Sequence, residues 1–158
     1  MKKSSIKALL IMLSITLLSA TCSSDDDGIN NTNNDAAIQA VENAVESGTW
    51  TITYFFDTDH EETNNFSGYN FTFGSNGVLT ATNGTNTYTG IWSVTDSSSS
   101  DDSSGDDDID FNISFSTPPD FAELSDDWDI VLSTSTKIEL IDISGGNGGT
   151  DNLTFEKN

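Results

Sequence analysis

The sequence predicts an all-β fold, with eight short antiparallel strands wound as a closed meander or a two-layer sandwich behind one short helix. Three observations lead there. From Trp50 onward apolar and polar residues alternate with a period of two, the mark of strands that bury one face. The alternation comes in eight stretches of similar length. Turn-forming clusters such as Ser75-Asn76-Gly77 and Asn83-Gly84 separate neighbouring stretches.

The helix comes first. Residues 35–47 open with Asp35, a good N-cap, and Gly48 follows as a terminator. Ile38, Val41 and Val45 recur at helical spacing, widened by Ala37, Ala40 and Ala44. So short a helix needs a surface to dock on.

The strands then follow in order. Trp50, Ile52, Tyr54 and Phe56 alternate with Thr51, Thr53 and Phe55, and Tyr69, Phe71 and Phe73 with Asn70 and Thr72. Leu79 and Ala81 mark the third strand; Tyr88, Gly90, Trp92 and Val94 mark the fourth. Ile109, Phe111, Ile113 and Phe115 form the fifth, and Trp128, Ile130 and Leu132 the sixth. Ile138 with Leu140, and Leu153 with Phe155, complete the set. Two connections depart from this rhythm. Residues 96–108 (DSSSSDDSSGDDD for 96–108) are low in complexity and read as a long solvated, disordered acidic loop. Pro118 to Asp127 reads as one helical turn pinned to the sheet by Phe121 and Leu124. The glycine-rich stretch Ser144 to Thr150 follows no strand–helix phosphate-binding pattern, so it is read as a hairpin loop.

Ahead of the folded part, Lys2, Lys3 and Lys7 precede an apolar run from Ala8 to Leu18. As a helix that run reaches roughly 16 Å, about half a bilayer core, which suits a secretory signal better than a membrane span. Ser19, Ala20 and Thr21 lead into Cys22, the one cysteine of the chain. This arrangement resembles the lipobox of bacterial lipoproteins, with Ser19 in place of the usual Leu and Thr21 in place of Gly or Ala. The resemblance implies removal of 1–21, acylation of Cys22, and a lipid anchor in the outer membrane. Ser24, Asp25, Asp26 and Asp27 resemble the acidic export tag of surface-displayed lipoproteins, which implies a chain facing the cell exterior. Residues 22–34 are then a flexible acidic tether.

Composition excludes several functions. The 158 residues include five Lys, no Arg and 26 Asp or Glu, for a net charge of −21. Loss of 1–21 removes three of those lysines and no acid, leaving −24. Such a charge rules out a nucleic-acid binder and favours at most weak, diffuse association of divalent cations. One Cys cannot form an internal disulfide or a Cys-rich zinc site. His60, the only imidazole, lies among Asp57, Asp59, Glu61 and Glu62 in a charged loop, where a solvated role is expected. A catalytic triad needs a buried, oriented His, so no catalytic residue, metal ligand or cofactor is assigned. Loop 101–108 lacks the spacing that aims carboxylates at a single Ca²⁺.

Gly48-Thr49-Trp50, which opens the first strand after a helix, resembles the Gly-x-Trp signature of lipocalins. Gly90-Ile91-Trp92 repeats the triplet, and Phe73 to Gly77 forms a Phe-x-x-Asn-Gly hairpin as in small bacterial lipocalin-like lipoproteins. The resemblance covers residues 48–158 and implies an eight-stranded antiparallel up-and-down barrel with Trp50 packed across its floor. The family's late arginine, which caps that Trp, has no counterpart here, and Lys157 is the nearest substitute. The functional expectation is a non-enzymatic, lipid-anchored envelope protein. It holds a small hydrophobic ligand against Trp50, Tyr54, Phe71, Trp92 and Phe111, or it has a filled core and acts structurally or adhesively through its acidic loops. A cavity above about 300 Å³ inside the barrel distinguishes the first from the second.

Overall fold

The computed structural model describes residues 32–96, 109–143 and 149–158. The expected signal segment, Cys22, the acidic tag and most of loop 96–108 lie outside the described residues. Helix α1 spans Thr32–Val45. The strands are β1 Trp50–Asp57, β2 His60–Glu61, β3 Asn70–Phe73, β4 Val78–Thr82 and β5 Thr87–Asp96, followed by β6 Ile109–Ser114, β7 Asp126–Ser133, β8 Lys137–Asp142 and β9 Asp151–Lys157. A 3-10 helix covers Thr63–Phe66, and α2 covers Pro119–Ala122.

Every pairing is antiparallel between neighbours, from β3 through to β9. The first and last strands then join, with Trp50 opposite Lys157 and Phe55 opposite Leu153, and β1 also pairs β3 at Trp50–Phe71. The result is a closed eight-stranded barrel; β2 is only a two-residue extension of the β1 hairpin. The eight stretches read by alternation are the eight barrel strands.

Two strands break the expected alternation, and a bulge accounts for each. On β1, Ile52 faces Phe155 and Tyr54 faces Thr154, so two residues of β1 advance for one of β9. The extra residue turns Phe55 inward, where it is 1% exposed, and leaves Tyr54 outside at 40%. Tyr54 therefore does not line the interior. On β7, a second bulge between Ile130 and Leu132 moves Leu132 to the surface.

The two ends of the barrel are closed differently. At one end, α1 lays Val41 and Val45 on the barrel, with Ala37 and Ile38 packed against the core. This helix starts at Thr32, so Asp35 sits in its first turn, where its charge meets the positive end of the helix dipole, and is not the cap. Gly48 makes the turn from helix to strand at φ +93, a conformation that side-chain-bearing residues seldom adopt. At the other end, the 3-10 helix and α2 bring Phe66 and Phe121 over the opening, as the Phe121–Leu124 pin predicted. Gly90 packs inward on β5; a Cβ there would stand 2.5 Å from the Ser114 carbonyl oxygen, so only glycine fits.

Candidate functional site

Four of the five residues expected to line a ligand cavity, Trp50, Phe71, Trp92 and Phe111, do face the barrel interior, where other aromatic rings crowd around Phe71, Trp92 and Phe111. Trp50, Phe71 and Phe111 are fully buried and Trp92 nearly so. Phe111 stacks on Trp92 with ring centroids 5.8 Å apart, and Phe73 meets both edge-on at 5.6 and 5.3 Å. Phe155 joins the group through Phe71 at 5.4 Å and Phe73 at 5.5 Å. Trp128, Phe55, Leu79 and Ile138 are also fully buried. Edge-to-face arrays of this kind are packed cores. Two recesses open to solvent beside the barrel wall, the first of them reached by Trp92. One groove of ≈ 560 Å³ runs over β5 and β6 beside Ile91, Asn112 and Asp126, and one of ≈ 370 Å³ lies between α1 and β7.

At the helix end, Trp50 is held from two sides. Its indole Nε1 donates to the Val45 carbonyl at 2.8 Å, which ties the floor of the barrel to the last turn of α1. Lys157 Nζ stands 4.8 Å from the centroid of the Trp50 ring and donates to Ser47 Oγ at 2.8 Å. A cation therefore sits on the face of the buried Trp50 ring.

The opposite mouth is acidic. Asp126, Asp142 and Asp151 come from three adjacent strands, and one carboxylate oxygen of each lies within 4.8 Å of the others. Asp142 and Asp151 are directly opposed across β8 and β9. Asp151 Oδ1 accepts from the Thr58 backbone N–H at 2.7 Å. Burial, ahead of the neighbouring Asp127 and Asp142, pushes the Asp126 carboxyl up to about 6. Oxygen ligands so grouped suit a hard divalent cation in kind. The sequence did carry a signal for this cluster. Each of the three acids lies two residues from an inward apolar residue, Trp128, Leu140 or Leu153, and so shares its inward parity at a strand end.

Next to this cluster, His60 is exposed and bridges two acids, with Nδ1 2.6 Å from Asp59 Oδ1 and Nε2 2.5 Å from Glu62 Oε1. Its pKa is raised by the hydrogen bonds to Asp59 and then Glu62. No strand pattern marks Glu62 or Glu123, since both lie in irregular segments. The hydrogen bond to Glu62, then burial, pushes the Glu123 carboxyl up to about 7.

No protein-family model, curated protein or solved structure matches this chain.

Proposed function

We propose that this chain is a lipid-anchored, non-enzymatic protein of the cell envelope, a lipocalin-like barrel that acts structurally or adhesively through its outer surface and its acidic mouth. The observation that carries this reading is the filled interior. Phe71, Phe73, Phe111, Trp128 and Phe155 occupy the space a lipocalin would offer a ligand. The placement of α1 supports it as well. The helix that leads back to the expected tether at Cys22 closes one mouth, so an anchor there turns the acidic mouth away from the membrane. Acylation of Cys22 and display directed by Ser24, Asp25, Asp26 and Asp27 place the barrel on the outer face of the outer membrane.

Fractionation of cells tests the anchor. Cys22→Ala should release a folded barrel from the membrane fraction, and a variant that stays in that fraction overturns the lipoprotein reading. Alanine at Asp25, Asp26 and Asp27 should lower protease accessibility on intact cells. Unchanged accessibility reduces the tag to a spacer.

A second reading keeps one specific support. The barrel closure and the Lys157–Trp50 pair match what the lipocalin resemblance implies, and lipocalins hold small hydrophobic ligands inside the barrel. Native mass spectrometry of the chain purified from its own host separates the two readings. A co-purifying small molecule favours interior binding; a bare mass, unchanged by lipids and apolar metabolites, favours the filled barrel.

A further inference from the structure

The two ends of the barrel differ in charge. Asp126, Asp142 and Asp151 gather at one mouth, whereas both lysines of the described residues lie at the other, beside α1. Lys157 reaches Ser47 and Trp50, and its backbone N–H donates at 2.9 Å to the carbonyl of Thr136, next to Lys137. At this same end an apolar groove of ≈ 370 Å³ opens between α1 and β7. Ala37, Ala40 and Val41 line its helix side, and Ile130, Val131 and Leu132 its strand side.

The bulge on β7 turns Leu132 outward next to Val131, so two consecutive aliphatic residues, Val131 and Leu132, stand 61% and 38% exposed. Adjoining exposed aliphatics on the rim of an apolar groove mark an interaction surface, where scattered single ones do not. The course of the chain points to what covers it. Helix α1 starts at Thr32, about 8 Å along its axis from Ala37. Ten residues lead from Cys22 to Thr32 and reach about 36 Å at most. A lipid anchor at Cys22 thus holds the groove close to the bilayer, while the acidic mouth lies at the far end of β7, roughly 25 Å away. Tethering on so short a segment raises the effective concentration of the bilayer at the groove, and a contact too weak to bind a free chain then forms.

We propose that the α1–β7 groove is a membrane-contact face, on which Val131 and Leu132 settle into the headgroup boundary of the bilayer that carries the anchor. This contact rests on the lipid-anchored reading and adds an orientation to it, with α1 and β7 against the lipid and the acidic mouth turned outward. Lys137 lies just past the turn that follows β7. Its long stem lets the ammonium stay among polar headgroups while the two aliphatic side chains enter the acyl boundary.

Charge selects the kind of lipid. From Cys22 onward the chain has 26 acids and two lysines, and five of those acids lie between Asp96 and Ile109, the ends of β5 and β6 that adjoin the groove. Such a balance repels anionic headgroups, so the surface that fits is a zwitterionic one, held by apolar contact rather than by charge.

Nuclear magnetic resonance of the natural chain in phosphatidylcholine nanodiscs, with a nitroxide on the lipid near the headgroup, reads the contact without any variant. The methyl signals of Val131 and Leu132 should broaden on the order of threefold more than those of Ile91 and Ile143. Those two isoleucines are 63% and 65% exposed, on β5 and beside the acidic mouth, so exposure alone does not favour Val131. The double variant Val131→Ser with Leu132→Ser keeps the fold, since both residues are at the surface. In it the methyl groups of Ala37 and Ala40 should broaden no more than that of Ile91. Equal broadening at all four aliphatics, strongest broadening at Ile143, or a preference at Ala37 and Ala40 that survives the double variant overturns the contact and leaves the anchor standing. Broadening at Val131 that needs no nitroxide and grows with protein density marks a second copy in the groove and overturns it as well. The mass of the purified chain separates the two readings: Cys22 without acyl groups removes the anchor, and the contact with it.

Discussion

Lys157 Nζ stands 4.8 Å from the centre of the Trp50 ring, so the last strand of the barrel caps the first residue of the first strand. The same ammonium reaches Ser47 Oγ at 2.8 Å and the Ala44 carbonyl at 3.5 Å, while Trp50 Nε1 holds the Val45 carbonyl. One cation thus ties three parts together: the closure of the barrel, the buried tryptophan and the C-terminal end of α1, whose dipole favours positive charge. Lys157→Met keeps most of the apolar stem and removes the charge. It should cost about 1 kcal/mol in urea denaturation. Trp50→Ala should cost about 3–5 kcal/mol, because it also leaves a large cavity at the barrel floor. Lys157→Arg should restore stability, since a guanidinium stacks on an indole at least as well.

The β1 bulge makes a contrast between adjacent residues. Tyr54 lies outside with its ring stacked beside Phe56 at 6.5 Å, and Phe55 is buried between Phe66 and Trp128. Tyr54→Ser should therefore change stability by less than about 0.5 kcal/mol, whereas Phe55→Ala should cost about 3–5 kcal/mol. Strict alternation requires the opposite order, so chemical denaturation of the two variants tests the bulge itself.

That contrast also explains what was legible in the sequence. Periodicity of two fixes which residues are strands, and all eight were found, because a barrel buries one face of every strand and exposes the other. A bulge leaves no mark in composition: Thr53-Tyr54-Phe55 contains nothing that tells a reader which residue is the extra one. The interior aromatics Phe71, Trp92 and Phe111 were legible by the same rule, but whether they enclose a space or fill it depends on how Phe73 and Phe155 meet them from other strands. The acidic mouth was less visible still. Asp142 lies two residues from Leu140, yet only the register opposite Asp151 shows that like charges meet there.

The carboxylate cluster should make stability fall as pH rises. Asp126 is raised from 3.8 to about 6, so the folded chain binds its proton more tightly than the unfolded chain. Its contribution is complete below 3.8 and is lost as pH rises through about 6. The shift corresponds to about 3 kcal/mol at most, and screening of this partly exposed group reduces it to about 1–2 kcal/mol. Asp126→Asn should therefore stabilise the chain at pH 7 by about 1–2 kcal/mol and flatten the slope between about pH 4 and 6. Thermal denaturation across that range checks both. An unchanged slope would show that the carboxyl gains nothing from its proton in the folded state.

Removing one ring from the interior tests whether the barrel is filled. Phe111 packs on Trp92 and Phe73 at the centre of the aromatic array and has no polar atom to satisfy. Phe111→Ala should cost about 3–5 kcal/mol and leave an apolar void, which water does not readily enter and a small hydrocarbon can. Benzene should then raise the melting temperature of Phe111→Ala and leave that of the natural chain unchanged, because only a binder of the folded state stabilises it. If the natural chain responds to benzene as strongly as the variant, its interior already admits a ligand. Trp92 and Phe111 would then be walls of a cavity and the lipocalin-like carrier would replace the filled barrel. A response confined to the variant shows that the natural interior is filled, which supports the proposal of a barrel that acts through its outer surface.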